Sequence, residues 1–215
     1  MIRLGDLVRR AVDVTVVLIG AVFVIPIAAA AALALRISVG PGVIYRQRRL
    51  GLGGHPFDML KFRTMRHPKP GREAPEFDSE RLTRTGQWLR AKSIDELPSL
   101  WNLLRGDIGL VGPRPLPVHY FSRFRGDEYR RFEVRPGITG LAQIAGRNTV
   151  DWAERLALDV DYVRTRSLLG DARILFGTVP AVLSGSGVDQ AEGVTMTELP
   201  ADRPGTPPSA PDTVG

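Results

Sequence analysis

The sequence contains no cysteine among its 215 residues. This absence excludes disulfide bonds, thiolate metal sites and a cysteine nucleophile, although it does not identify the cellular compartment. Acidic residues are in the minority, with 23 Asp and Glu against 29 Lys and Arg, so the formal net charge is +6 and the pI is near 10.3. A basic chain favours an anionic partner, and nucleic acid, an anionic membrane and phosphorylated small molecules all remain open on charge alone.

Ionisable side chains are also missing between Val14 and Leu35. At a rise of ~1.5 Å per residue, this apolar run is long enough to span a ~30 Å hydrocarbon layer. Three interpretations are open. The run is a cleaved signal peptide, since the small residues of 28–34 follow a basic N-terminus, or a single transmembrane span, or a re-entrant helical hairpin that enters and leaves on one face.

Two features favour the re-entrant hairpin. Positive charge flanks the run on both sides, and the positive-inside rule then places both flanks in the cytoplasm. These charges are Arg3, Arg9 and Arg10 before the run and Arg36, Arg46, Arg48 and Arg49 after it. Pro26 interrupts the run and leaves segments of roughly 18 and 14 Å, each too short to cross alone. We therefore predict that residues 1–37 form a membrane-embedded re-entrant helix broken at Pro26.

The remainder of the chain has the length of one further compact domain, which we place at residues 38–187. Short extended pieces at 43–45 and 57–62, on either side of glycine-rich 51–54, predict a β-hairpin. The other patterned segments are helical, so the fold class is mainly α with a small β-hairpin. Residues 188–215 are acidic and proline-rich, which predicts a disordered tail.

Two helical patterns lie in the second half of the chain. Residues 118–134 interleave aromatic rings with arginines, which predicts an interfacial amphipathic helix with its rings at headgroup depth. Residues 151–163 place Trp152, Leu156, Val160 and Val163 on one face, which predicts an amphipathic helix packed on a core.

An adjacent acidic pair, Asp95 and Glu96, follows Ser93 and precedes an apolar segment. One interpretation is structural: Ser93 caps a helix, with Glu96 at the third position of a capping box, and the carboxylates complement the helix dipole. The other is chemical. One carboxylate attacks phosphorus while the other helps to hold a divalent metal, since Mg²⁺ takes oxygen ligands and bridges phosphates.

Three groups of basic residues accompany glycine, proline or alternating apolar residues, as expected of phosphate-binding loops and strands. In the first, Arg114 lies between Pro113 and Pro115, where it has little backbone freedom. The other predicted phosphate or substrate ligands are Arg135 and Arg147 in a glycine-rich stretch and Lys61 and Arg63 on a predicted strand.

These stretches together resemble the bacterial sugar transferase family, the monotopic polyprenyl-phosphate phosphoglycosyl transferases of surface polysaccharide and glycoprotein pathways. The resemblance covers roughly residues 4–187. It rests on the apolar hairpin followed in order by KFRTM at 61–65, SIDELPSLWNLLRGDIGLVGPRP at 93–115 and RPGITGLAQIAGRN at 135–148. The chain is similar in length to the minimal catalytic form of the family, without the extra N-terminal spans of larger members.

The resemblance implies a role for each matching residue. It makes Asp95 the covalent nucleophile, Glu96 a ligand of Mg²⁺ or Mn²⁺ together with Asp95, and Arg90 the basic residue five positions before the nucleophile. It makes Pro113 and Arg114 phosphate ligands. The family's re-entrant helix is broken at a Ser-Pro pair, whereas here Ile25 precedes Pro26.

The resemblance also implies a two-step reaction at the cytoplasmic face of the bacterial inner membrane. Sugar-1-phosphate passes from a UDP-sugar to Asp95 with release of UMP, and from Asp95 to polyprenyl (undecaprenyl) phosphate. The expected partners are the nucleotide-diphosphate sugar, the polyprenyl phosphate and inner-membrane lipid. No residue identifies the sugar.

The alternative function is a basic membrane-surface or nucleic-acid-binding protein without catalysis. The net charge favours it, but the arginines are dispersed among glycine–proline motifs and do not form one basic stripe. We therefore expect no nucleic-acid partner.

Overall fold

The computed structural model describes residues 4–72, 74, 77–146, 151–183 and 198–200. Within these residues the fold is mostly helical. Its α-helices are α1 (Leu4–Ser38), α2 (Asp78–Arg81), α3 (Arg84–Ala91), α4 (Ser99–Arg105), α5 (Leu141–Ala145), α6 (Trp152–Thr165) and α7 (Leu168–Leu183). Described 3₁₀ turns lie at Leu52–Gly54, Ile94–Glu96, Val118–Arg123 and Gly126–Glu133.

Two small sheets accompany the helices. Strands β1 (Ile44–Leu50) and β2 (Pro56–Phe62) form an antiparallel hairpin, which confirms the predicted one. Its turn requires glycine, because Gly54 has φ 77° and a Cβ there would lie 2.6 Å from the ring of Phe121. Strands β3 (Gly109–Val111) and β4 (Gly137–Thr139) form a parallel pair that the sequence patterns did not predict.

The first helix, α1, runs continuously for 35 residues and contains Pro26. Among the described residues it is the one helix long and apolar enough to cross a membrane, and only 11% of its apolar window is buried. A core helix of a soluble protein would be mostly buried, so α1 indicates membrane association. The re-entrant topology is not tested by the helix assignment and stays a prediction.

Both ends of α1 contact the rest of the protein. Near its start, Arg10 donates hydrogen bonds to the carbonyls of Leu103 and Leu104 in α4. Near its end, Leu35 is fully buried in a cluster that includes Phe62 of β2. The middle of the helix carries large exposed apolar side chains, namely Leu18, Ile19, Val22, Phe23 and Ile25.

The predicted interfacial helix over 118–134 is wrong. This segment forms two 3₁₀ turns separated near Gly126, whose φ of 46° interrupts helical geometry. Its rings point inward: Tyr120, Phe124 and Phe132 are buried, and Phe124 meets Phe132 edge-to-face with centroids 5.3 Å apart. These aromatic residues therefore form a core cluster and do not lie at a lipid surface. Burial and edge-to-face packing of the rings stabilise this arrangement.

The amphipathic helix predicted over 151–163 is confirmed as α6. Asp151 caps it, since its side chain accepts a hydrogen bond of 2.8 Å from the backbone N–H of Glu154. Leu156, Val160 and Val163 are buried as the pattern requires.

Residues 198–200 pack on the aromatic core cluster. Leu199 is fully buried there, and Arg123 donates a hydrogen bond of 2.6 Å to its carbonyl and contacts the Glu198 carboxylate at 3.0 Å. The rest of the predicted disordered tail, 188–215, lies outside the described residues.

Candidate active site

The acidic pair lies in the 3₁₀ turn Ile94–Glu96, directly before α4. The turn is entered through Ser93, which has φ 54° and is the one non-glycine with a positive φ among the described residues. Ser93 makes no side-chain capping bond, so the predicted capping box is wrong. A capping residue needs extended backbone, and the left-handed conformation of Ser93 excludes that geometry.

Glu96 is held by two cations from different parts of the fold. Its Oε1 accepts hydrogen bonds from Nζ of Lys61 in β2 at 2.7 Å and from Nη2 of Arg114 in the loop after β3 at 3.1 Å. The Glu96 side chain is 23% exposed, which leaves it within reach of solvent. The Glu96 carboxylate is therefore neutralised by two ion pairs and does not cap a helix.

Asp95 is in a different electrostatic environment from its neighbour. Burial, and then the charge of Glu96, raise the pKa of Asp95 to about 6, against partial opposition from Lys61 and Arg90. Burial also acts to raise the pKa of Glu96, but Lys61 and Arg114 outweigh it and hold that pKa well below its usual range. Among the described residues no cation lies within 4 Å of the Asp95 carboxylate. Among these residues, then, Asp95 is the member of the pair that carries no ion pair.

Arg90 is anchored beside this pair by α3. Its Nε donates a hydrogen bond of 2.8 Å to Oγ1 of the buried Thr64, and Thr83 caps the start of the helix. Gly86 lets α3 approach Thr64 closely, because a Cβ at this position would lie 2.2 Å from the Thr64 carbonyl oxygen. The helix therefore brings Arg90 near enough to influence the pKa of Asp95.

Pro113 and Arg114 lie just after the end of β3, which pairs with β4. Gly112 donates a hydrogen bond of 2.9 Å to the Thr139 carbonyl, and Gly137 donates one of 3.0 Å to the Pro113 carbonyl. A second guanidinium lies close to Arg114, since burial and then Arg114 lower the pKa of Arg49 to about 10. Positive charge thus accumulates at this loop, as an anion-binding loop requires.

The remaining predicted phosphate ligands have other contacts. The Arg63 guanidinium donates to the carbonyls of Val39 and Pro41 and so organises the link after α1. Arg135 is exposed and donates to the Gly106 carbonyl at 2.9 Å. It borders a cavity of about 280 Å³ between the start of α1 and α7, away from the acidic pair. Arg147 lies outside the described residues.

The donor set at the turn fits a magnesium ion shared with a substrate. Among the described residues there is no group of three or more His, Cys, Asp or Glu side chains that could hold a metal alone. Mg²⁺ is commonly bound through one or two carboxylates together with substrate phosphates. Asp95 and Glu96 would supply those carboxylates.

Several residues around the site were not predicted, chiefly Thr64, Arg49 and the buried pair Arg131 and Asp159. Nη2 of Arg131 lies 2.9 Å from Oδ2 of Asp159, and both residues are 3% exposed. Asp159 had a detectable signal, because it lies among the apolar positions of α6, where an unpaired carboxylate would be costly. The contacts of Thr64, Arg49 and Arg131 join distant segments, and nothing in the local sequence signals them.

The chain is similar to several known proteins, all sugar transferases or exopolysaccharide production proteins by name. A family model described as bacterial sugar transferase matches residues 4–185. A UDP-glucose:undecaprenyl-phosphate glucose-1-phosphate transferase of Caulobacter vibrioides is 42% identical over 189 residues, which cover 83% of this chain and 71% of the relative. An uncharacterized sugar transferase, EpsL of Bacillus subtilis, is 46% identical over 161 residues, 75% of this chain and 80% of the relative. The exopolysaccharide production protein ExoY of Sinorhizobium fredii is 36% identical over 197 residues, 83% of this chain and 87% of the relative.

Proposed function

Because this chain belongs to the bacterial sugar transferase family, and is therefore a transferase, we propose that it moves a sugar-1-phosphate from a UDP-sugar to undecaprenyl phosphate. The products are UMP and an undecaprenyl-diphosphate sugar, which begins the assembly of an exopolysaccharide or related glycoconjugate. The observation that carries the proposal is the asymmetry of the acidic pair: Glu96 binds two cations, while none of the described residues places a cation within ion-pair distance of Asp95.

In the first step, a carboxylate oxygen of Asp95 attacks the sugar-bearing phosphorus of the donor. The bond between that phosphorus and the oxygen of the nucleoside monophosphate breaks, and UMP leaves with the electron pair. The sugar phosphate is then an ester of Asp95. Arg114 and Lys61, both bound to Glu96, and Arg90 beside Asp95 face the charge that develops on the phosphates, where preset cations stabilise it.

In the second step, a phosphate oxygen of undecaprenyl phosphate attacks the same phosphorus. The Asp95–phosphorus bond breaks, the carboxylate is restored and the new diphosphate departs with the lipid. Asp95 and Glu96 would hold Mg²⁺ with the donor phosphates, and the ion would neutralise diphosphate charge. Burial, and then the charge of Glu96, raise the pKa of Asp95, and a bound cation would favour its ionised form.

We further propose that α1 is re-entrant and that the acidic pair faces the cytoplasm at headgroup depth. Three features support this: arginines flank both ends of the apolar run, both ends contact the folded domain, and the apolar middle is exposed. Such an anchor would keep the acidic pair near the phosphate of a membrane lipid and open to a water-soluble donor.

The test is intact-protein mass spectrometry of the purified chain incubated with Mg²⁺ and single UDP-sugars, starting with UDP-glucose, without lipid acceptor. We expect an adduct of sugar-phosphate mass that disappears when undecaprenyl phosphate is added. Salt-sensitive binding to DNA or anionic vesicles, without UMP release from any donor, would favour the non-catalytic basic binding protein. UMP release that requires lipid and leaves no adduct would replace the two-step route with direct attack by the lipid phosphate.

A further inference from the structure

The loop that carries Arg114 is tied to the protein through its carbonyl groups. Prolines at 113, 115 and 117 have no N–H, so hydrogen bonds to this stretch must be accepted mainly by its oxygens. Four consecutive carbonyls accept one each: Pro113 from N–H of Gly137 at 3.0 Å, Arg114 from Nη2 of Arg131 at 2.8 Å, Pro115 from Nη1 of Arg49 at 2.7 Å and Leu116 from N–H of Leu50 at 2.8 Å. The backbone beneath the Arg114 side chain is therefore fixed on both sides.

Arg131 is the donor to the carbonyl of Arg114 itself. Its Nη2 donates both to that carbonyl and to Oδ2 of Asp159, and its Nε also donates to Asp159 at 3.2 Å. The side chains of Arg131 and Asp159 are 2% and 4% exposed, and the guanidinium lies 5.0 Å from the ring centre of Phe124. The planar fork of arginine thus joins α6 to the loop through a single buried group.

Stability alone does not explain this pair. Burying an ion pair costs desolvation energy that its attraction repays only in part, so apolar residues of similar size often serve a core equally well. Arg131 also donates a hydrogen bond to the Arg114 carbonyl, which an apolar residue at this position could not do.

We propose that Arg131 is a positioning residue for the transfer reaction. Held by Asp159, it fixes the Arg114 carbonyl and so directs the Arg114 guanidinium toward Glu96 and the donor phosphate. Arg131 touches none of the reacting groups. The proposal rests on the proposed function for its effect on turnover, but its effect on Arg114 does not depend on activity.

The test variant replaces both members of the pair, Arg131→Met with Asp159→Leu, so that no buried charge is left alone. We expect kcat per folded enzyme to fall on the order of tenfold or more, because a small displacement of a positioned group is enough to cost that much. Adding Arg114→Met should cost little more, because the interaction it removes is already lost. A purely structural role predicts an altered thermal midpoint and losses that add to those of Arg114→Met.

A second measurement is independent of activity. Phenylglyoxal modifies guanidinium groups, and peptide mass spectrometry resolves its rate at Arg114 relative to Arg105, whose side chain is 60% exposed. We expect this ratio to rise several-fold in the Arg131→Met, Asp159→Leu variant, because Arg114 is no longer held on Glu96. Should the chain transfer no phosphosugar, the proposed function fails while the labelling ratio still decides the positioning role.

An unchanged labelling ratio in the double variant overturns the proposal whatever its turnover. If the wild-type protein is active, a double variant with the same kcat as wild type also overturns it. A loss that adds fully to that of Arg114→Met also overturns it. If the double variant does not fold, Asp159→Asn keeps the shape of the pair and removes its charge. The same two measurements on that variant then decide, with smaller changes expected in the same directions.

Discussion

Lys61 joins the β-hairpin to the acidic turn, with its Nζ 2.7 Å from Oε1 of Glu96. Lys61 precedes Glu96 by 35 positions in the chain. Arg114, which follows Glu96 in the chain, donates a hydrogen bond to the same oxygen. Glu96 is thereby fixed and ionised, while in the described part of the chain no cationic side chain lies within 4 Å of the adjacent Asp95 carboxylate. A division of labour between the two carboxylates follows, and the first prediction tests it.

Substitution of the two carboxylates should have different consequences. Asp95→Asn should abolish both net transfer and the phosphosugar adduct, because a neutral amide is a poor nucleophile. Glu96→Gln should impair metal-dependent chemistry but leave slow adduct formation at high Mg²⁺. Intact-protein mass spectrometry with donor alone distinguishes the two. An adduct that persists in Asp95→Asn would show that another residue is the nucleophile, and full activity of that variant would exclude Asp95 from catalysis.

Arg114→Lys should lower turnover by roughly tenfold or more, because lysine keeps the charge but loses the planar fork that matches phosphate and carboxylate oxygens. The measurement is UMP release under saturating donor and lipid. The matched control is Arg105→Lys, since Arg105 is exposed and pairs loosely with Asp107 at 3.5 Å. Equal activities of the two variants would make Arg114 an ordinary surface residue.

The two carboxylates should also affect stability in opposite directions. The folded-state pKa of Asp95 is raised to about 6, so its contribution to stability is complete below about pH 4 and is lost as the pH rises through 6. Asp95→Asn should therefore unfold at a higher temperature than wild type at pH 7.5, and the difference should vanish near pH 4. Thermal unfolding at both pH values measures this.

Glu96→Gln serves as the opposite control in that experiment. The folded-state pKa of Glu96 is held well below its usual range, so its contribution is present above the unfolded pKa and is lost as the pH falls. This variant should be less stable than wild type at pH 7.5. Equal midpoints for wild type and both variants at pH 7.5 would contradict the assigned electrostatics.

The sequence predicts those parts of the fold and site that depend on local patterns. The hairpin follows from extended residues around Gly53 and Gly54, α6 from its apolar spacing, and the closeness of Asp95 to Glu96 from adjacency. Residue chemistry also placed Lys61 and Arg114 among the candidate ligands, and both contact Glu96.

The remaining parts depend on contacts between distant segments. The pattern of aromatic residues in 118–134 is compatible both with a lipid boundary and with a protein core. The packing of Phe124 against Phe132 shows that these rings belong to the core. The role of Arg63 depends likewise on the carbonyls of 39–41, which no periodicity reveals. Charge and aromatic content identify what a segment can contact, whereas the fold determines which of these contacts forms.

Leu199 should stabilise the domain although it lies in a segment with a disordered composition. Leu199→Ala should cost about 2–4 kcal/mol of unfolding free energy, as expected for a fully buried leucine. Glu198→Ala should cost about 0.5 kcal/mol or less, because its ion pair with Arg123 is largely exposed. Thermal unfolding compares the two variants. Equal, negligible effects would show that this segment does not pack on the core in solution.

The topology of α1 can be read by labelling, since the chain has no cysteine to interfere. In the re-entrant arrangement, single cysteines at Arg3→Cys and Arg46→Cys both lie in the cytoplasm. A membrane-impermeant maleimide should then label both in inverted vesicles and neither in intact spheroplasts. A single span instead places the two cysteines on opposite sides, so one of them would react from outside. Reaction of either cysteine in intact spheroplasts would therefore exclude the re-entrant helix, and cleavage of a signal peptide would remove residue 3 from the mature protein altogether. Because both ends of α1 contact one folded domain, through Arg10 and through Leu35, we expect both cysteines to be protected from outside.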